Sequence, residues 1–212
     1  MHNKIYFIKL HTNLRKHPFF INTLSQHMGK IKIKAGTLLV AAPLLNEPFF
    51  NRTVLVVVEH TKNSTLGFVL NKPIDVRIRE LVQDFPEGLD SMVYCGGPVQ
   101  NDMLFFIHSL GELLEDSIRI SDGVYWSGRF EQLKALVRAG LVEQHDIRFF
   151  VGYSGWDPGQ LQEEIEEGTW VVSEMDPNYV FNTKSKMLWQ QAMEHKGETF
   201  SVLGQMPEPA WN

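Results

Sequence analysis

The sequence predicts one α+β domain with mainly antiparallel or mixed β-sheets and peripheral helices. Short apolar, β-branched segments recur along the chain, as is typical of buried strands. Amphipathic segments of helical period lie between some of them. Strands and helices do not alternate strictly, which argues against a doubly wound parallel fold. No glycine- and serine-rich linker and no internal repeat divides the 212 residues.

The strands are predicted from apolar and β-branched runs that end at turn residues. They span residues 36–42, 53–60, 66–71, 92–95, 103–108, 117–120, 124–126, 147–151 and 169–172. Short polar links predict two antiparallel hairpins, one around residues 61–64 and one around Asp122 and Gly123. Residues 30–34 alternate lysine and isoleucine and predict an exposed edge strand or lead-in.

The helices are predicted from apolar residues that recur with the helical period. A short helix is expected after Asp75, and longer helices over residues 129–139, 158–167 and 184–195. The second of the longer helices carries four glutamates, at positions 163, 164, 166 and 167. We expect them to form a solvated face, and a docking surface for a basic partner is the alternative.

Charge divides the chain into a basic leader and an acidic body. Residues 1–46 contain seven Lys or Arg and no Asp or Glu, so the rest carries 13 basic against 25 acidic residues. An acidic body repels phosphate backbones, so we do not expect it to bind nucleic acid. Binding of nucleic acid through the basic leader stays as an alternative.

Composition along the chain indicates a central domain with two flanking segments. Residues 1–34 form a poorly patterned basic extension, in which Met28 is a candidate alternative start. Residues 35–200 form the domain, and residues 201–212, with two prolines, are expected to be a loose tail.

Three observations predict a cytoplasmic protein without a membrane partner. The single Cys95 excludes an intramolecular disulfide and fits a reducing compartment. No apolar run reaches the roughly 18 residues that a membrane span needs. The apolar block at residues 5–8 is too short for a secretory signal.

The candidate site is a corner between a strand and a helix. Gly152 and Gly155 are expected to allow a tight turn after the strand that ends at Val151. Asp157 and Pro158 are typical of a helix start, whose backbone N–H groups point outward. The predicted ligand or partner site comprises Gly152, Tyr153, Gly155, Trp156, Gly159 and Gln160, with the turn at Gly96, Gly97 and Pro98. The alternative is that this corner is architecture only.

No residue is assigned as catalytic. Ser154 fails the pattern of a hydrolase nucleophile because Trp156 stands where that pattern needs glycine. An unrecognised enzyme that uses Cys95, or the strand-end pair His60 and His108, is the alternative. No His or Cys residues have the spacing that is typical of metal ligands, and no glycine-rich motif for binding the phosphates of a nucleotide is present. No cofactor is therefore expected.

Taken together, these segments resemble the bacterial YqgE/AlgH family, also called UPF0301. The matching segments are residues 36–43, 50–60, 66–73, 93–99, 152–156, 159–161, 168–170 and 188–189. The family pattern usually has Asp and Ser between residues 43 and 53, where this chain has Asn46 and Thr53. That difference argues against a role that needs a carboxylate at position 46.

The resemblance implies a single cytoplasmic α+β domain with two sheets and brings no established reaction. Some members are described as transcriptional regulators. We therefore expect a non-enzymatic regulatory or binding protein with an unknown protein or small-molecule partner, and the sequence leaves its oligomeric state open.

Overall fold

A computed structural model describes residues 32–43, 45, 47–181 and 184–205. Ten strands lie in this part of the chain: β1 Leu38–Ala41, β2 Val54–His60, β3 Thr65–Val69, β4 Pro73–Arg77, β5 Met92–Cys95, β6 Val99–His108, β7 Ile118–Ser121, β8 Val124–Trp126, β9 Ile147–Trp156 and β10 Trp170–Ser173. It also contains six α-helices: α1 Ile78–Leu81, α2 Phe130–Arg138, α3 Gln160–Glu166, α4 Pro177–Phe181, α5 Ser185–Glu194 and α6 Glu198–Gly204. Short 3-10 turns form at Gly111–Leu113 and Gln144–Asp146.

The strands form one connected set in the order β10-β1-β2-β3-β9-β6-β8-β7, with β5 beside β9 and β4 beside β5. The pairing of β5 with β9 is parallel, whereas both predicted hairpins, β2–β3 and β7–β8, are antiparallel. The α+β class with a mainly antiparallel sheet is therefore confirmed.

Strand β9 joins the two predicted sheets because it belongs to both. On one side it pairs with β6. On its other side, residues 149–151 pair with β5 and residues 154–156 pair with β3. The other described strands connect to β9 directly or through their neighbours in this order.

Two apolar clusters cover the two faces of β9. Side chains alternate between the faces of a strand, so Phe150 lies in the larger cluster and Phe149 in the smaller one. The larger cluster takes buried side chains from α3, α4, α5 and α6, and the smaller one from α1 and α2. Most helices therefore pack over one face, as expected for peripheral helices.

Strand β4 corrects the prediction of a helix capped by Asp75. Residues 73–77 alternate between exposed and half-buried side chains and pair with β5. The proline is the first residue of this strand, where its missing N–H group removes no hydrogen bond from the interior of the sheet. The helix begins only at Ile78 and has four residues.

Other boundaries differ at the two ends of the chain. Residues 32–34 form no strand. Residues 1–31, which include Met28 and the rest of the predicted lead-in, lie outside the described residues, as does Asn46. Helix α6 includes residues 201–204 of the expected tail and buries Phe200. No helix in the described ranges is long and apolar enough to cross a membrane.

Candidate functional site

The predicted corner is part of a continuous strand that faces a bulge in β6. Strand β9 runs from Ile147 to Trp156, and Gly152 has a φ of +70°. Between the pairs Tyr153–Val99 and Val151–Leu104, β9 has only Gly152 whereas β6 has residues 100–103, so the extra residues of this bulge belong to β6. A Cβ at Gly152 would lie 2.6 Å from the Gly97 carbonyl oxygen. The prediction of a tight turn at Gly152 and Gly155 was therefore wrong.

The two glycine segments of the predicted site lie directly against each other. The Gly96 amide donates to the Val151 carbonyl at 2.9 Å, and the Gly96 carbonyl accepts from the Ser154 hydroxyl at 3.2 Å. A Cβ on Gly97 would lie 2.1 Å from the Tyr153 carbonyl carbon. We call residues 96–97 and 152–154 the glycine junction, since only glycine allows these backbones to approach so closely.

The aromatic side chains of the predicted site face the core. Tyr153 is 9% exposed and Trp156 is 3% exposed. The Trp156 indole N–H donates to Glu164 at 2.8 Å, and the Trp170 indole donates to the same carboxylate oxygen at 2.9 Å. Glu164 is thus a buried acceptor at 2% exposure, and its assignment to a solvated face was wrong.

Helix α3 begins two residues later than predicted. Its first residue is Gln160, and the preceding Gly159 has a φ of +82°. The Gln160 side-chain oxygen accepts from the Asp157 amide at 3.0 Å, so Gln160 closes the turn as predicted even though Pro158 lies outside the helix. Only residues 157–159 of this segment are exposed.

The structure does not bring together the groups proposed for an enzyme. His60 lies on β2 and His108 on β6, with β3 and β9 between them. Three strand spacings correspond to about 14 Å, too far for a shared proton or metal. The half-buried Cys95 places its sulfur 3.7 Å from the Gly97 carbonyl oxygen. Within the described ranges, no three His, Cys, Asp or Glu side chains gather as metal ligands.

His108 is a fully buried structural residue. Its Nδ1 accepts from the Leu110 amide at 3.2 Å, and its Nε2 donates to the Ser127 carbonyl at 2.9 Å. These bonds fix the neutral form, because protonation of Nδ1 would oppose the amide donor. Burial lowers the pKa of His108 below its ordinary 6.5, although the bond to Ser127 acts in the opposite direction.

An apolar groove of about 520 Å³ opens beside β6. We call it the β6 groove; it is lined by Leu104, Phe105, Phe106, Trp126, Ser127, Gly128 and Phe130. The Phe105 ring contacts Tyr153 edge-on at 5.8 Å, which connects the groove to the glycine junction. Ser127 has a φ of +62°, and the buried Trp126 indole nitrogen has no hydrogen-bond partner in the described structure. No sequence pattern indicates this groove, because its residues match an ordinary buried strand.

A mainly antiparallel α+β domain whose two halves share one central strand is the class of protein that this fold defines. The chain belongs to the AlgH-like family, DUF179, whose model matches residues 38–201. The resemblance seen in the sequence is thereby confirmed.

Relatives and solved structures agree with this assignment. The UPF0301 protein of Chlorobium limicola is 38% identical over 84% of this chain and 94% of its own length. The UPF0301 protein of Parabacteroides distasonis is 35% identical over 82% of this chain and 88% of its own. The solution structure of AlgH from Pseudomonas aeruginosa is similar with a TM-score of 0.65 at 25% identity, covering 86% of this chain and all of that one. The crystal structure of DIP2367 from Corynebacterium diphtheriae has a TM-score of 0.73 at 22% identity, covering 85% and 96%.

Adding one methyl group at the glycine junction is expected to destabilise the fold strongly. Gly97→Ala forces a Cβ into the backbone of residues 153–154 and should lower the free energy of unfolding by about 3 kcal/mol or more. In the control Gly159→Ala, the Cβ meets no atom within 4 Å and only the positive φ is unfavourable. That variant should lose about 1 kcal/mol. Urea unfolding compares the two, and equal losses would contradict the close approach.

His108 is expected to make stability fall on acidification. Because its pKa is lowered in the folded state, the unfolded chain binds a proton that the folded chain excludes below pH 6.5. The free energy of unfolding should therefore fall from pH 6.5 downward, by up to about 1.4 kcal/mol per pH unit from this group. His108→Gln should remove this contribution, whereas the exposed-site variant His60→Gln should keep the wild-type dependence. Parallel pH profiles for wild type and His108→Gln would refute the assignment.

Proposed function

We propose that this chain is a non-enzymatic binding protein of the cytoplasm that takes up an extended segment of a partner protein along the open edge of β6. The observation that carries the proposal is an unpaired strand edge. Strand β8 pairs with β6 only at Ile107 and His108, and the Ser127 amide adds a bond to the Phe106 carbonyl. Residues 100–105 have no strand neighbour on that side within the described structure.

The strand register tells which backbone groups are open. The Phe106 carbonyl points toward β8. Backbone N–H and C=O groups of alternate residues point to the same side of a strand, so those of Leu104 point to the open side. An extended peptide that adds as a further strand would pair with these groups.

The β6 groove supplies apolar contacts beside this edge. Leu104, Phe105 and Trp126 are half-buried, and Met103 is 46% exposed. Apolar side chains of an added strand would cover them, which is the usual role of pockets next to an augmented edge.

Charge favours a basic partner segment. The body outside residues 1–46 is acidic, and Asp102 in β6 is exposed. Lysines or arginines that flank an apolar core would be attracted to this surface. A regulatory role is consistent with such protein binding and requires no contact between the acidic body and DNA.

A displayed library of random peptides tests this proposal. Peptides enriched on the folded chain should contain an apolar core with basic flanks. They should bind Leu104→Lys at least about tenfold more weakly than wild type, because a charge then occupies the groove. Leu141→Lys is the matched control, since Leu141 is 58% exposed and does not line the groove.

Binding is measured by fluorescence anisotropy, and circular dichroism checks that each variant is folded. Equal affinity of the enriched peptides for wild type and folded Leu104→Lys would overturn the proposal. The proposal would also be overturned if no peptide is enriched on this chain above the level found on an unrelated protein.

A further inference from the structure

A buried arginine lies near the start of β9, between apolar residues. Arg148 lies between Ile147 and Phe149 and is 7% exposed. No carboxylate lies within ion-pair distance of it in the described ranges. Burying a charge without a counter-charge is costly, so this position needs an explanation beyond packing.

The protein satisfies only part of the Arg148 guanidinium. One nitrogen, Nη1, donates to the Leu70 carbonyl at 2.9 Å, and the guanidinium carbon lies 4.5 Å from the centre of the Tyr94 ring. Stacking on a ring leaves the in-plane N–H groups available as a fork. The other nitrogens have no protein acceptor in the described structure and are not sealed from solvent.

The ring on which the guanidinium stacks carries a hydroxyl group, and this group contacts a second hydroxyl. The Ser185 hydroxyl donates to the Tyr94 hydroxyl oxygen at 3.1 Å. The Tyr94 O–H is therefore still able to donate, and no described residue accepts from it. Ser185 is also the first residue of the ten-residue helix α5, whose N-terminus carries partial positive charge.

We infer that Arg148, Tyr94 and Ser185, the Arg148 site, bind the oxyanion group, phosphate or carboxylate, of a small ligand. The guanidinium fork matches two oxygens of either group. The Tyr94 hydroxyl and the N-terminus of α5 donate to the same negative charge. The ligand supplies the counter-charge that Arg148 lacks. This site is separate from the β6 groove and does not depend on the function proposed for that groove.

Nuclear magnetic resonance of the full wild-type chain tests the inference directly. The Nε–H resonance of Arg148, assigned by its absence from the spectrum of Arg148→Lys, is followed during titration with sodium phosphate and, separately, sodium acetate at constant ionic strength. A saturable shift with either anion is expected, and the anion that saturates at the lower concentration identifies the preferred group. No saturable shift with either anion would overturn the inference.

Thermal unfolding with matched variants gives a second, independent readout. The midpoint of wild type should rise saturably with the anion, as expected when a ligand binds only the folded state. The exposed-site control Arg138→Met should respond in the same way, and Arg148→Met should not respond. If Arg148 serves only to hold the Leu70 carbonyl, Arg148→Met will respond like wild type, and the inference fails. Should Arg148→Met not fold, the wild-type titration decides alone.

The two proposals can fail separately. Leu104→Lys should keep the full response to the anion, because Leu104 does not belong to the Arg148 site. Loss of that response in folded Leu104→Lys would contradict the separation of the two sites.

Discussion

The close approach of two backbones at the glycine junction is the constraint on which the rest of the structure depends. Gly97 lies so near the peptide between Tyr153 and Ser154 that no side chain fits between them. Beside this contact β6 bulges opposite Gly152, and on the other side of β9 the neighbour changes from β5 to β3, so that its two halves meet different strands. One strand therefore belongs to both sheets and holds them together.

Both proposed sites depend on this shared strand. Tyr153 of β9 contacts Phe105 and so supports the β6 groove. Arg148 lies five residues earlier on β9 and donates to the carbonyl of Leu70, the residue after the end of β3. The glycine junction is thus the scaffold of the two sites, and its own atoms are packed inside the core. The corner that was predicted as a binding site is instead the element that positions the two proposed sites.

Much of the fold could be predicted because local patterns agree with the final structure. Apolar runs and turn dipeptides gave most strands and both hairpins, and the family followed from them. Three features depend on distant contacts that no local pattern encodes. They are the bulge of β6 opposite Gly152, the pairing of β4 with β5, and the burial of Glu164, which accepts from two indole N–H groups. Arg148 left one sequence signal, a lone charge in an apolar run, but such a charge equally suits a strand end.

Hydrogen exchange along β9 under native conditions tests most directly whether the glycine junction makes one cooperative unit of the two halves. Amides of residues 149–151 and 154–156 that are protected should exchange with the same free energy and the same dependence on denaturant, since both halves open only by global unfolding. If residues 154–156 exchange through a separate, lower-energy opening while residues 149–151 stay protected, the shared strand does not couple the two sheets and this account is contradicted.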